Sequence, residues 1–238
     1  MPARARARQL QNHRISFKIS FFQDVFTIVE ELTGDCPGVG LPEGFIVEKK
    51  YYDLFKNLQK KYCLTDMYIT NFKAVKHLQE WKRIQKIIAL YNLFWNEHKY
   101  KLLNVKKSLK KEMDFDSFIK KLEEITKIAW TTKMLDLFLT IGYKQSGTYD
   151  RKINVIRVGI HEDNKLYLPY TIYHELIHFH IINHMKLKLP ETEEEILCRA
   201  IFKLVFINDL IAQSHWKEFL TQQEQEKINK KAEEFQFL

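Results

Sequence analysis

The chain of 238 residues has few of the residues that end helices, and little cysteine. Its seven glycines and five prolines are a low count that favours long helices. The three cysteines, Cys36, Cys63 and Cys198, are far apart in the sequence. Their spacing excludes a disulfide framework and a zinc ribbon, and it is typical of a reducing compartment. We therefore expect a cytoplasmic location.

Long apolar segments are also missing. No apolar run reaches the length of about 20 residues that spans a bilayer, so no membrane span is expected. The basic start of the chain is followed by an apolar stretch that Lys18, Gln23 and Asp24 interrupt, which argues against a secretory signal. Hydrophobic residues make up 45% of the chain and aromatic residues 13%, as expected for a globular protein with ample core.

Charge is unevenly distributed along the chain. Residues 1–120 hold 22 Lys and Arg against 13 Asp and Glu, a balance of +9, whereas the remainder holds 16 against 17, a balance of −1. Residues 1–14 contain four arginines and no acid, and we expect a basic, disordered tail there. The basic N-terminal half is a candidate nucleic-acid interface, although solvated lysine faces of amphipathic helices explain the same pattern.

The hydrophobic pattern favours an α+β fold that is mainly helical. Beyond the tail, we expect a helical N-terminal region at 15–140, with helices at 16–32, 66–96 and 116–139. Residues 141–238 should form a second unit that ends in a polar helix. In this second unit, 145–148 reads as a turn and 153–158 as a strand.

One motif indicates a metal-binding and catalytic function. His174-Glu175-Leu176-Ile177-His178 is an HExxH sequence inside an apolar run, so it predicts a buried helix. Residues four apart share one helix face, so His174 and His178 can direct two imidazoles at one zinc ion. Glu175 lies next to that face and can take a proton from a zinc-bound water. Without a metal, the two histidines would be core or half-exposed residues with hydrogen-bond partners.

A catalytic zinc needs a third protein ligand from elsewhere. The motif helix should run to about residue 186, and a second helix should follow at 191–212, opened by acidic residues that suit the positive end of its dipole. We favour Glu195 as the third ligand because it stands where the polar edge of this helix meets its apolar face. Glu194 is the alternative. Glu191 and Glu193 fit ordinary helix-start chemistry.

The motif, followed by a glutamate on the next helix, resembles the gluzincin group of zinc metallopeptidases. The order of a turn at 145–148, a strand at 153–158, Pro169 and the motif is similar to that of SprT-like and minigluzincin-like metallopeptidases. The resemblance implies a zincin-like core with a short β-sheet edge and two zinc-site helices, preceded by a helical region. SprT-like proteins take a third histidine after the motif, but His180 and His184 are rotated away from the motif histidines here, which favours glutamate.

These observations predict a zinc metalloendopeptidase that acts on protein or peptide substrates. Zinc would be held by His174, His178 and Glu195, with Glu175 as general base. Four residues are candidates for stabilising the oxyanion: Tyr149, Tyr170, Arg199 and His215. The alternative is a non-catalytic, nucleic-acid- or protein-binding helical protein with a vestigial zinc site. A secreted effector protease is a third hypothesis.

Overall fold

The structure, a computed structural model, describes residues 14–20, 81–140, 147–150, 155–160, 167–215 and 220–236. These residues form a mainly helical α+β arrangement with one small sheet. Within this part of the chain, no helix combines the length and the apolar character needed to cross a membrane. Most of the residues at 1–80, including most of the expected basic tail, lie outside the described residues.

Ten elements are described, and their bounds in chain order are β1 Arg14–Ile19, α1 Trp81–Glu112, α2 Phe115–Thr126, β2 Met134–Thr140, β3 Gly147–Asp150, β4 Val155–Gly159, α3 Leu168–Asn183, α4 Glu191–Val205, α5 Leu210–His215 and α6 Gln222–Gln236. The strands lie in the order β1-β2-β4-β3. β1 pairs with β2 and β2 with β4 in parallel, whereas β3 pairs with β4 antiparallel. β3 is therefore an edge strand of the described sheet.

The first two strands correct the sequence prediction, which placed helices at 16–32 and 116–139. Residues 14–19 form β1, where Phe17 is buried and the flanking Lys18 is exposed. In β2 the buried residues Leu135, Leu137 and Leu139 alternate with more exposed ones. This alternation, with a period of two, is typical of a strand. The prediction of helices missed it because it treated the apolar residues as one face of a helix. α2 ends at Thr126, where Lys127 takes a left-handed conformation.

One row of side chains across the sheet shows why these segments are strands. Phe17 aligns with Leu137 and Leu137 with Ile156, and each of the three is at most 2% exposed. β1 and β2 thus share a sheet with β4, although 15–140 was expected to be helical. The predicted boundary between the two units lies at 140/141, and residues 141–146 lie outside the described residues. The division into two units therefore stays a prediction.

The strand expected at 153–158 is confirmed over its described part, because β4 covers Val155–Gly159. The turn expected at 145–148 is wrong at Gly147 and Thr148, which begin β3 and pair with β4. The two helices that were expected to hold a zinc ion are shorter than predicted. α3 ends at Asn183 and α4 ends at Val205. A separate helix, α5, follows α4.

α3 is the central helix, and its residues are buried nearly all round. Such a helix must be covered on every face, which explains its lack of a polar side. The ridge of His174 and His178 contacts α4. The ridge of Glu175, Phe179 and Asn183 lies against β3. A third ridge, which includes His180, contacts the C-terminal end of α2. α4 is covered on another side by α6, through Ala200, Ile228 and Ala232.

Candidate metal centre

α3 brings the two motif histidines together as expected for residues four apart. The Nε2 atoms of His174 and His178 are 3.1 Å apart. His174 is buried, and the side chain of His178 is 14% exposed. Two nitrogens that share a tetrahedral zinc ion at about 2.0–2.1 Å stand about 3.3 Å apart. The pair is therefore spaced for one metal ion.

α4 places Glu195 opposite this pair. Its Oε2 lies 3.0 Å from His178 Nε2, and its Oε1 lies 3.5 Å from His174 Nε2. These separations bracket the value expected for ligands of one zinc ion. The side chain of Arg199, one turn further along α4, donates from Nε to Glu195 Oε1. His174, His178, Glu195 and the nearby Cys198 are called the donor cluster below.

Glu194 lies behind the donor cluster and decides which nitrogen of His178 carries a proton. Its Oε1 is 2.8 Å from His178 Nδ1, and the residue is only 2% exposed. A carboxylate only accepts hydrogen bonds, so Nδ1 of His178 must donate. In a neutral ring Nε2 then has a lone pair, and this lone pair faces the Glu195 carboxylate. Nε2 and the carboxylate at 3.0 Å therefore need either a proton on the ring or a metal ion between them, and the donor set is the one that zinc prefers.

Cys198 is a competing third donor. Donor atoms of His174, His178 and Cys198 all lie within 4.8 Å of one another. Its Sγ, however, is 3.5 Å from His174 Nδ1 and 3.9 Å from Nε2, and it donates to the carbonyl oxygen of His174. A second ligand of a metal ion that is bound at Nε2 should lie closer to Nε2 than to Nδ1. The sulfur thus stands beside the ring and would have to rotate to join, so the geometry favours Glu195.

Opposite charges at contact distance shift every titration in the donor cluster. Burial alone would lower the pKa of His174, but the ionisable side chains of Cys198 and Glu195 beside it outweigh burial and raise this pKa to about 10. Against burial, which opposes ionisation, the two imidazoles lower the pKa of Glu195 and of Cys198. The cluster therefore favours a positive charge at its centre.

Glu175 lies on the neighbouring ridge of α3, between the histidines and β3. It is 6% exposed, and its carboxylate accepts the backbone N–H of Tyr149. Burial raises the pKa of Glu175, although the positive field of His178 and His174 opposes this rise. A carboxylate with a raised pKa beside a cation site is suited to accepting a proton.

The four oxyanion candidates differ in their surroundings. The hydroxyl of Tyr149 accepts from Asn183, and the hydroxyl of Tyr170 donates to Asp209 at 2.8 Å. Arg199 is the candidate that directly contacts a donor-cluster residue, Glu195. The side chain of His215 lies outside the described part of the chain. The choice among the four stays a prediction.

The donor cluster opens toward solvent on the side of Glu195. The side chain of Glu195 is 34% exposed, compared with 6% for His174. Closed structural zinc sites have four protein ligands, whereas catalytic sites keep one position accessible. Elsewhere, a surface cavity between β1 and α2, lined by Ile15, Met113 and Phe115, contains none of the cluster residues.

Comparison with known proteins gives no match: no protein-family model fits the chain, and no curated protein or solved structure is significantly similar to it.

Two features of the site were not predicted from the sequence, which indicated only the motif and the acidic start of the next helix. Glu194 was predicted to be a helix-start residue or an alternative ligand, whereas the structure buries it against His178 Nδ1. The contact of β3 with Glu175, which depends on Gly147, was also missed. The sequence signal for Glu194 was its place three and four residues before Leu197 and Cys198, which puts it on the apolar face of the helix. No local pattern predicts the contact with β3.

Proposed function

We propose that the protein is a zinc-dependent endopeptidase in which His174, His178 and Glu195 hold the metal and Glu175 is the general base. The observation that carries the proposal is the convergence of two imidazole Nε2 atoms and one carboxylate at 3.0–3.5 Å. The buried Glu194 fixes the ring of His178 so that Nε2 faces this point.

A zinc ion at this point would supply Lewis-acid chemistry, which lowers the pKa of water and polarises a carbonyl group. Glu175 accepts a proton from the attacking water and passes it to the leaving amine. The N–H of Tyr149 holds the carboxylate of Glu175 in place for this transfer. Arg199 orients Glu195 from the solvent side of the donor cluster.

The accessible side of the donor cluster supports a catalytic role over a purely structural one. Glu195 is about one-third exposed, so a substrate can approach without unfolding α3 or α4. β3 is an edge strand of the described sheet, beside Glu175. An extended peptide can pair with such an edge, and this supports peptides as the substrate class.

The test is the Glu175→Gln variant, which removes the base and nearly keeps its shape. Activity on a mixed peptide library, read by mass spectrometry, should fall by roughly 10²–10⁴-fold while the zinc content stays that of the wild type. Glu193→Gln is the matched control, because Glu193 is an exposed acid in the first turn of α4. Full activity of Glu175→Gln would exclude this mechanism.

A basic surface on α1 allows a test of the alternative function, binding of nucleic acid. Lys107, Lys110 and Lys111 are exposed, and burial followed by the charge of Lys110 lowers the pKa of the nearby Lys106. If this face binds nucleic acid, affinity must fall steeply with added salt, because counterions are displaced on binding. A gel-shift titration with DNA and RNA at two salt concentrations measures this.

A further inference from the structure

We propose that Gly147 is a positioning residue: its lack of a side chain lets β3 lie against Glu175 and fixes where the carboxylate stands. The inference rests on the proposed function in taking Glu175 as the general base. A Cβ atom added at position 147 would lie 2.4 Å from Cγ of Glu175, 3.0 Å from Cδ and 3.1 Å from Oε1. All three of the nearest atoms belong to this one residue.

The need for glycine at 147 comes from space and not from backbone conformation. Gly147 pairs with Val158 in the antiparallel ladder, and its φ lies outside the left-handed region that favours glycine. Alanine is compatible with this extended backbone and loses less conformational entropy on folding than glycine does. The cost of Gly147→Ala should therefore arise from the contact with Glu175.

Glu175 cannot move aside without consequence. Its carboxylate accepts the N–H of Tyr149, two residues along the same strand, and the residue is buried. A methyl group at 147 must push either β3 away, which breaks this hydrogen bond, or the carboxylate away from its present position beside the histidines. Neither shift touches a metal donor. The expected defect is therefore a misplaced base with the metal site intact.

A double-mutant cycle tests the contact without any substrate. The full-length wild type, Gly147→Ala, Glu175→Ala and the double variant are unfolded in urea, each after its zinc content is measured. Gly147→Ala should lower the unfolding midpoint when Glu175 is present. In the Glu175→Ala background the same change should leave the midpoint unchanged or raise it, because the methyl group fills vacated space. An equal fall in both backgrounds would overturn the proposal.

Kinetics separate positioning from a general weakening of β3. Gly147→Ala should lower kcat by about 10²-fold, as misplacement of a reacting group by about 1 Å does, with KM and zinc content near those of the wild type. Met134→Ala, at an exposed position at the start of β2, is the control and should keep kcat. Wild-type kcat in Gly147→Ala would contradict the positioning role. Absence of cleavage by the wild type would instead contradict the proposed function, and the unfolding cycle would then decide the role of Gly147.

Discussion

α3 and its C-cap residue His184 carry two histidine pairs with the same spacing, and the hydrogen bonding of the two pairs differs. His174 and His178 turn their Nε2 atoms toward each other at 3.1 Å, and His180 and His184 turn their Nδ1 atoms toward each other at 3.2 Å. In the first pair the outer Nδ1 of His178 meets a carboxylate. In the second pair both outer nitrogens meet threonine hydroxyls, Thr126 and Thr132, at 3.0 Å.

The second pair is satisfied by its own hydrogen bonds. The hydroxyl of Thr126 donates to the carbonyl oxygen of Leu122, so it must accept from His180 Nε2. Nδ1 of His180 then accepts from His184 Nδ1, and His184 Nε2 accepts from the hydroxyl of Thr132. This chain is complete with both rings neutral. In the donor cluster, in contrast, Nε2 of His178 faces a carboxylate, so this contact needs a proton on the ring or a metal ion.

The neighbours therefore decide what an i,i+4 histidine pair does. Anions beside His174 raise its pKa to about 10, although burial opposes this, whereas burial and then the charge of His184 lower the pKa of His180 to about 3. Trp130 stacks on the ring of His180.

The largest expected effect is loss of the metal on removal of Glu195. Glu195→Ala should abolish stoichiometric zinc after gel filtration, because the remaining donors are two imidazoles and a sulfur that faces away. Cys198→Ser should keep the zinc. The opposite result would assign the third ligand to Cys198, and zinc loss in Glu194→Ala with retention in Glu195→Ala would assign it to Glu194.

A smaller effect is expected from the carboxylate behind His178. Glu194→Ala should weaken zinc affinity by about 10–100-fold, as is typical when the partner of a metal-bound histidine is removed. Competition with a chromogenic chelator measures the affinity. Glu193→Ala, which alters an exposed neighbour, should stay within twofold of the wild type. Equal affinity in both variants would mean that Glu194 does not orient His178.

The second pair should make stability depend on pH. The pKa of His180 is lower in the folded protein than its ordinary value of 6.5, so its contribution is fully present above pH 6.5 and is lost as pH falls toward 3. Between pH 6.5 and pH 5 this costs about 1–2 kcal/mol of unfolding free energy. Urea unfolding of metal-free protein should show this loss relative to His180→Gln. An identical pH dependence in both proteins would contradict the assignment.

The smallest effect concerns the hydroxyl of Thr132. Thr132→Val removes the donor to His184 Nε2 and should lower the unfolding free energy by about 0.5–1.5 kcal/mol. Zinc content should not change, because no donor-cluster residue is involved. A loss of zinc in Thr132→Val would show that the two pairs are coupled through α3.

The sequence predicted which side chains lie together at this site better than it predicted the elements around them. His174 and His178 needed only the helical period to be brought together, and the polar edge of α4 singled out Glu195. The strands at 14–19 and 134–140 were missed because apolar residues at every second position also satisfy a loose helical pattern. The contact of Gly147 with Glu175 could not be predicted, because it joins a strand and a helix that only the tertiary fold brings together.

The metal content of three proteins, purified without chelator, tests the central claim most directly: wild type, His178→Ala and His184→Ala. The two variants remove the second histidine of each pair on the same helix. We predict one zinc ion per chain in the wild type and in His184→Ala, and none in His178→Ala. Wild-type protein that carries no zinc and takes up none when it is supplied, or equal zinc in all three proteins, would contradict the account.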